Sequence, residues 1–91
     1  MNETTFRAQL AALGCTELRI VEWTPGHATQ EHAHDFNAHG LILKGAFTLA
    51  TPTGPRLLTV GDTFELAAGT PHTETVGADP TEILAGRIFP A

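Results

Sequence analysis

The sequence predicts an all-β fold, a sandwich or barrel of seven or eight short strands, preceded by one short helix. Three observations carry that expectation. From residue 17 onward, runs rich in β-branched and aromatic residues recur at about 8–12-residue spacing, the cadence of sandwiches and barrels. Gly and Pro punctuate nearly every interval between those runs. Only residues 4–13 show helical periodicity, with Phe6, Leu10 and Leu13 at i, i+4 and i+7.

Taken in order, the elements justify themselves locally. Thr4 or Thr5 is placed to cap the helix, and Gly14 sits where a left-handed C-terminal cap is expected. With almost no basic residue on its polar face, this helix is expected to pack on the rest of the chain rather than on a membrane. The β runs that follow are Glu17–Trp23, Thr29–His34, Gly40–Leu43, Ala46–Thr51, Arg56–Val60, Thr63–Leu66, His72–Val76 and Glu82–Phe89. Pro52-Thr53-Gly54 reads as a hairpin tip, and Gly61-Asp62 as a tight turn that needs positive φ. No repeat, low-complexity tract or linker interrupts the chain. Residues 1–91 therefore read as one domain, with 1–16 an N-terminal helical segment and 17–91 the barrel.

Composition narrows the function. A net charge of −5 and five scattered basic residues (Arg7, Arg19, Lys44, Arg56, Arg87) argue against nucleic acid as a partner, since phosphate binding needs clustered cations. The apolar fraction of 42% suffices for a core and argues against disorder. Cys15, the single cysteine, cannot form an internal disulfide, which fits a reducing compartment. It reads as a small, partly buried side chain after the helix, or else as a redox nucleophile. Glu3 and Arg7 ahead of a short apolar stretch do not make a signal peptide, and no run approaches the ~18–20 apolar residues of a membrane span. The expected location is the cytoplasm.

Five histidines stand at 27, 32, 34, 39 and 72. On a strand, His32-Ala33-His34 directs both imidazoles to one face, with Cα atoms about 6.6 Å apart, close enough for bonds of about 2.1 Å to converge on one ion. Glu74, two residues beyond His72, shares its face on the same reasoning. It is the candidate general acid or base, or a substitute carboxylate ligand. Asp35 and Asn37 sit in a turn beside the pair, where side-chain hydrogen bonds to the backbone or an oxygen ligand are both open. His27 follows a turn glycine and reads as a loop histidine.

The glycines sharpen the pattern. Gly26, five residues, His32, one residue, His34 and then a strand ending at Gly45 resemble the first motif of the cupin superfamily, G-x5-H-x-H-x3,4-E-x6-G. Gly61, five residues, Ala67, one residue, Gly69, two residues and His72 resemble the second, G-x5-P-x-G-x2-H-x3-N. The resemblance implies a small double-stranded β-helix, or jelly-roll barrel, with one divalent metal held inside its mouth by His32, His34 and His72. Where the family has a glutamate ligand, this chain offers Ala38 or His39, according to where the spacing slips. His39 is the tentative fourth ligand, although it shares a strand face with Leu41 and Leu43, so a bulge is needed to turn it inward. Ala67 and Val76 replace a proline and an asparagine that bind no metal.

Imidazoles without thiolates suit Fe, Mn, Ni, Zn or Cu. Two classes of function follow. One is an enzyme of dioxygenase, isomerase or lyase type acting on a small molecule. The other is a non-catalytic module that binds or senses a small ligand or the metal itself. The sequence favours neither: the histidines speak for chemistry, while the absence of Tyr and the single inward carboxylate, Glu74, speak against it. Phe36, Phe47, Ile42 and Leu66 are the expected lining of the mouth. A homodimer is expected, covering apolar residues such as Trp23, Leu41 or Leu43 on an outer face.

Overall fold

The structure, a computed structural model, describes residues 1–90; position 91, the last of the expected barrel segment, lies outside the described residues. The chain opens with helix α1 (Glu3–Ala12). Its cap is Asn2, not Thr4 or Thr5: the Asn2 side-chain oxygen accepts from the Thr5 amide at 2.8 Å, and the helix starts at Glu3, one residue before the expected 4–13. At the other end Gly14, at φ +82°, closes the helix as expected. The Gly14 amide donates to Ala11 and the Cys15 amide to Leu10, the paired bonds of a Schellman cap. Leu13 occupies the cap itself and is turned out to solvent, so only Phe6 and Leu10 of the expected apolar triplet are buried.

Seven strands follow: β1 (Leu18–Trp23), β2 (Asn37–Lys44), β3 (Ala46–Thr51), β4 (Gly54–Thr59), β5 (Thr63–Leu66), β6 (Thr73–Val76) and β7 (Thr81–Ile88). They form two antiparallel sheets, ordered β1-β7-β2-β5 and β4-β3-β6. Pro52 and Thr53 make the two-residue hairpin tip between β3 and β4. At Gly45, φ is +72° and an added Cβ would collide with the Pro80 carbonyl, so the sharp passage from β2 to β3 requires glycine.

The expected strand Thr29–His34 is not a continuous strand. It runs antiparallel beside β6 through two isolated bridges, Ala28 with Thr75 and His32 with His72. Between the bridges three residues (29–31) on one side face two (73 and 74) on the other, so a bulge breaks the ladder. Counted as an eighth position, the segment extends the second sheet beyond β6. The two layers then follow the order of a jelly roll.

Side-chain alternation places the core between the sheets. Ile42, Phe47, Leu49, Leu58, Leu66, Val76 and Ile83 interdigitate there. Phe6 and Leu10 of the helix cover Leu41 and Leu84 on the outer face of the first sheet. Leu41 is thus buried within the chain, and Trp23 packs on the inner core with its ring edge against Phe47. Leu41 is therefore not free to form a subunit contact, whereas Trp23 and Leu43 are only partly buried. Among the described residues, no helix is long and apolar enough to cross a membrane.

Candidate metal centre

Four side chains meet at one end of the space between the sheets. Ligand atoms of His32, His34, His72 and Glu74 all lie within 4.8 Å of one another. Ring centroids are 4.3 Å apart for His32 and His72, and 5.1 Å for His34 with each of the others. Backbone geometry accounts for the convergence. His32 and His72 exchange two main-chain hydrogen bonds, at 3.1 and 2.9 Å, and the His34 carbonyl accepts from the Gly69 amide at 2.8 Å. The bulged segment thus presents both histidines of the pair without a regular strand. Glu74 follows His72 by two positions, on the same inward face of the β6 chain.

Hydrogen bonds fix the tautomers. Nδ1 of His72 lies 2.9 Å from the Thr70 carbonyl, and Nδ1 of His32 lies 2.8 Å from the Gln30 carbonyl. A carbonyl only accepts, so each Nδ1 carries the proton and donates it. In the neutral rings each Nε2 then presents a lone pair inward, the arrangement that carbonyl partners impose on ligating histidines. The Glu74 carboxylate oxygen Oε1 stands 3.1 Å from Nε2 of His72 and 3.4 Å from Nε2 of His32. Nε2 of His72 is buried and has no hydrogen-bond partner. Electron-pair donors held this close, one of them orphaned, are reconciled by a shared cation. The donor set of three imidazoles and one carboxylate fits a divalent transition metal.

Electrostatics favour the ligating form of the third ring. Burial, then the neighbouring His72 and His32 rings, lower the His34 pKa from its ordinary 6.5, with Arg87 pushing the same way and Glu74 opposing. The ring stacks on Phe36 at 4.6 Å, nearly parallel at 16°.

Other expected residues are placed elsewhere. His39 is not brought to the cluster. It shares the helix-covered face of β2 with Leu41, and its Nε2 lies 3.9 Å from the carboxylate of Glu65 across the β2–β5 pair. The β2 irregularity that could have turned it inward falls between Ile42 and Lys44, too late to affect it. Asn37 uses its side-chain oxygen to accept from the Ala68 amide at 2.8 Å, tying the start of β2 to the loop before His72. His27 stacks on Trp23 at 4.9 Å and 12°.

The cluster closes one side of a cavity of about 210 Å³. Val21, Trp23, Phe36, Ala38, Phe64, Leu66, Ile83 and Ala85 supply apolar walls. Of the expected lining, Phe36 and Leu66 are there, whereas Phe47 and Ile42 lie deeper, in the core. Among the lining residues that escaped the sequence reading, one is charged: Arg87, whose guanidinium carbon sits 4.6 Å from the centre of the Phe36 ring. The alternation Ile83, Ala85, Arg87 along β7 is the signal that finds it, because the first two face inward.

No protein-family model matches the chain, and no curated protein matches it in sequence. Solved structures do match. A cupin superfamily protein from Desulfitobacterium hafniense superposes with a TM-score of 0.73 at 15% identity, over 80% of this chain and 66% of that one. KdgF from Halomonas sp. gives 0.67 at 23%, over 80% and 68%. The DMSP lyase DddQ from Ruegeria pomeroyi gives 0.72 at 24%, over 78% and 36%. The chain therefore spans about two thirds of the first two structures and about a third of the lyase. Likeness at these identities speaks for architecture, and together with the two jelly-roll layers it identifies the fold of this chain as that of the cupin superfamily.

Proposed function

We propose that the chain is a metal-dependent enzyme that holds one divalent transition metal through His32, His34, His72 and Glu74 and acts on a small molecule in the adjoining cavity. The orphaned Nε2 of His72, facing a carboxylate oxygen in a buried site, is the observation that carries this reading. When bound, such a metal supplies Lewis acidity toward a substrate oxygen or an acidified water. The chain's own part is to hold the imidazoles neutral and oriented through the Thr70 and Gln30 carbonyls, and to exclude bulk water with aromatic walls. In this reading Glu74 supplies the carboxylate absent from the first motif, where Ala38 stands. Lyase, isomerase and dioxygenase chemistry all suit an open centre of this kind, and the likeness to a DMSP lyase supports the first. The lone free thiol of Cys15, with its sulfur 3.3 Å from the Glu17 carbonyl, suits an enzyme of the cytoplasm.

One observation favours a second reading, a binding or sensing module. Once Glu74 ligates, the cavity wall retains no carboxylate for general acid or base work. Metal analysis of untagged protein, followed by O2-uptake and lyase assays on small acids, separates the two. About one metal per chain with turnover supports the enzyme; one metal without turnover supports the module; no metal at any occupancy overturns both.

A further inference from the structure

Among the described residues, three of the five basic side chains are paired with carboxylates and two, Arg56 and Arg87, are not; of these two only Arg87 lines the histidine cavity. Arg7 pairs with Glu3 at 2.9 Å, Arg19 with Glu17 at 2.6 Å and Lys44 with Glu82 at 3.7 Å. Arg87 has no carboxylate within ion-pair distance among the described residues, although the chain carries ten acidic side chains. It is held in place nonetheless. The guanidinium carbon lies 4.6 Å from the Phe36 ring centre, and the His34 ring stacks on the same Phe36 ring, also at 4.6 Å. The guanidinium carbon is therefore no farther than twice that distance from a histidine of the cluster. Cation–π contact orients the group, and among the described residues its five N–H donors have no hydrogen-bond acceptor.

We infer that Arg87 is a specificity-determining residue that binds the carboxylate of a small organic acid whose other end faces the histidine cluster. This rests on the function proposed above. A guanidinium presents a planar fork matched to a carboxylate, and two parallel N–H···O bonds add geometric specificity to the charge pairing. Size agrees: about 210 Å³ falls below the ~300–1,000 Å³ of sites for drug-sized ligands, so the occupant has few heavy atoms. Charge agrees as well. A divalent ion with Glu74 as its one anionic ligand leaves a surplus of positive charge, and Arg87 adds to it, making this spot anion-selective in a chain of net charge −5.

Trp23, the only tryptophan, lines the cavity and reports on its occupancy by fluorescence. The test titrates benzoate and its neutral analogue benzamide into wild type and Arg87→Gln, each metal-loaded and metal-free, with metal content measured on every sample. Wild type is expected to prefer benzoate at least tenfold, about 1.4 kcal/mol. Arg87→Gln is expected to lose that preference with its metal content unchanged, and Arg87→Lys to keep part of it. The metal-free wild type retains a weaker preference, so a failure of metal binding is seen separately from a failure of this inference. Equal binding of the two probes, no saturable benzoate signal at tens of millimolar, or a preference that survives in Arg87→Gln would overturn it.

Discussion

At the scale of single residues, the site is defined by where protons cannot go. Thr70 and Gln30 carbonyls hold the Nδ1 protons of His72 and His32, so the opposing nitrogens face Glu74 as acceptors. His32→Ala is therefore expected to abolish stoichiometric metal binding, a loss of at least ~100-fold, while circular dichroism remains that of the folded chain. Its apolar core lies away from the cluster and does not depend on the ion. An unfolded variant would make the metal a folding staple and remove the main support for chemistry. The metal-free protein should also lose stability in acid. His34 has a lowered pKa, so below its ordinary 6.5 the unfolded chain binds protons that the folded one refuses. The His34 contribution is fully present above pH 6.5 and is lost as pH falls toward the folded value. Thermal melts at pH 7.5 and 5.5 should show that loss, and His34→Gln should reduce it; an identical drop in the variant would disprove the assignment.

At the scale of elements, the β2 strand explains both the successes and the gaps of reading from sequence. Period-two alternation correctly sets Ala38 and Ile42 inward and His39 with Leu41 outward, and the glycine punctuation correctly marks most strand ends. The hairpin at Pro52-Thr53 and the Schellman glycine were equally legible, because each depends on local backbone chemistry alone. What alternation could not show was the bulge between the Ala28 and His32 bridges, since its register belongs to the pairing with β6. Nor does a local pattern reveal that Glu74 comes within 3.4 Å of His32, which is a fact of tertiary convergence. Gly40 illustrates how tightly this strand is packed: an added Cβ would collide with the Phe64 ring, which walls the cavity. Gly40→Ala is expected to cost about 1–3 kcal/mol, read as a lower urea midpoint at unchanged slope. A midpoint equal to wild type would mean that Phe64 yields freely.

At the scale of the whole molecule, the two sheets have unlike outer faces, and the difference bears on assembly. Helix α1 covers the first sheet through Phe6 and Leu10. The second sheet has no such cover. With Phe47, Leu49, Leu58 and Val76 buried inward, alternation turns Ala46, Thr48 and Ala50 of β3, Leu57 and Thr59 of β4, and Thr73 and Thr75 of β6 outward. None of these side chains is charged, in a chain where 16% of residues are, and Leu57 is 67% exposed at their edge. With Asp79 at its border as a carboxylate beside Leu57 and Thr75, this face is poor in charge, and a second copy meets little like-charge repulsion there. We propose a two-fold homodimer through the second sheet, in place of the contact through Trp23, Leu41 or Leu43 expected from sequence. Light scattering at tens of micromolar should give twice the 9.7 kDa chain mass. Leu57→Asp should halve it without changing metal content, because the cluster lies on the inner side of the same sheet. A monomeric wild type would remove the proposal, and a dimer that survives Leu57→Asp would move the interface to the edge of β1, where Ile20 is 50% exposed.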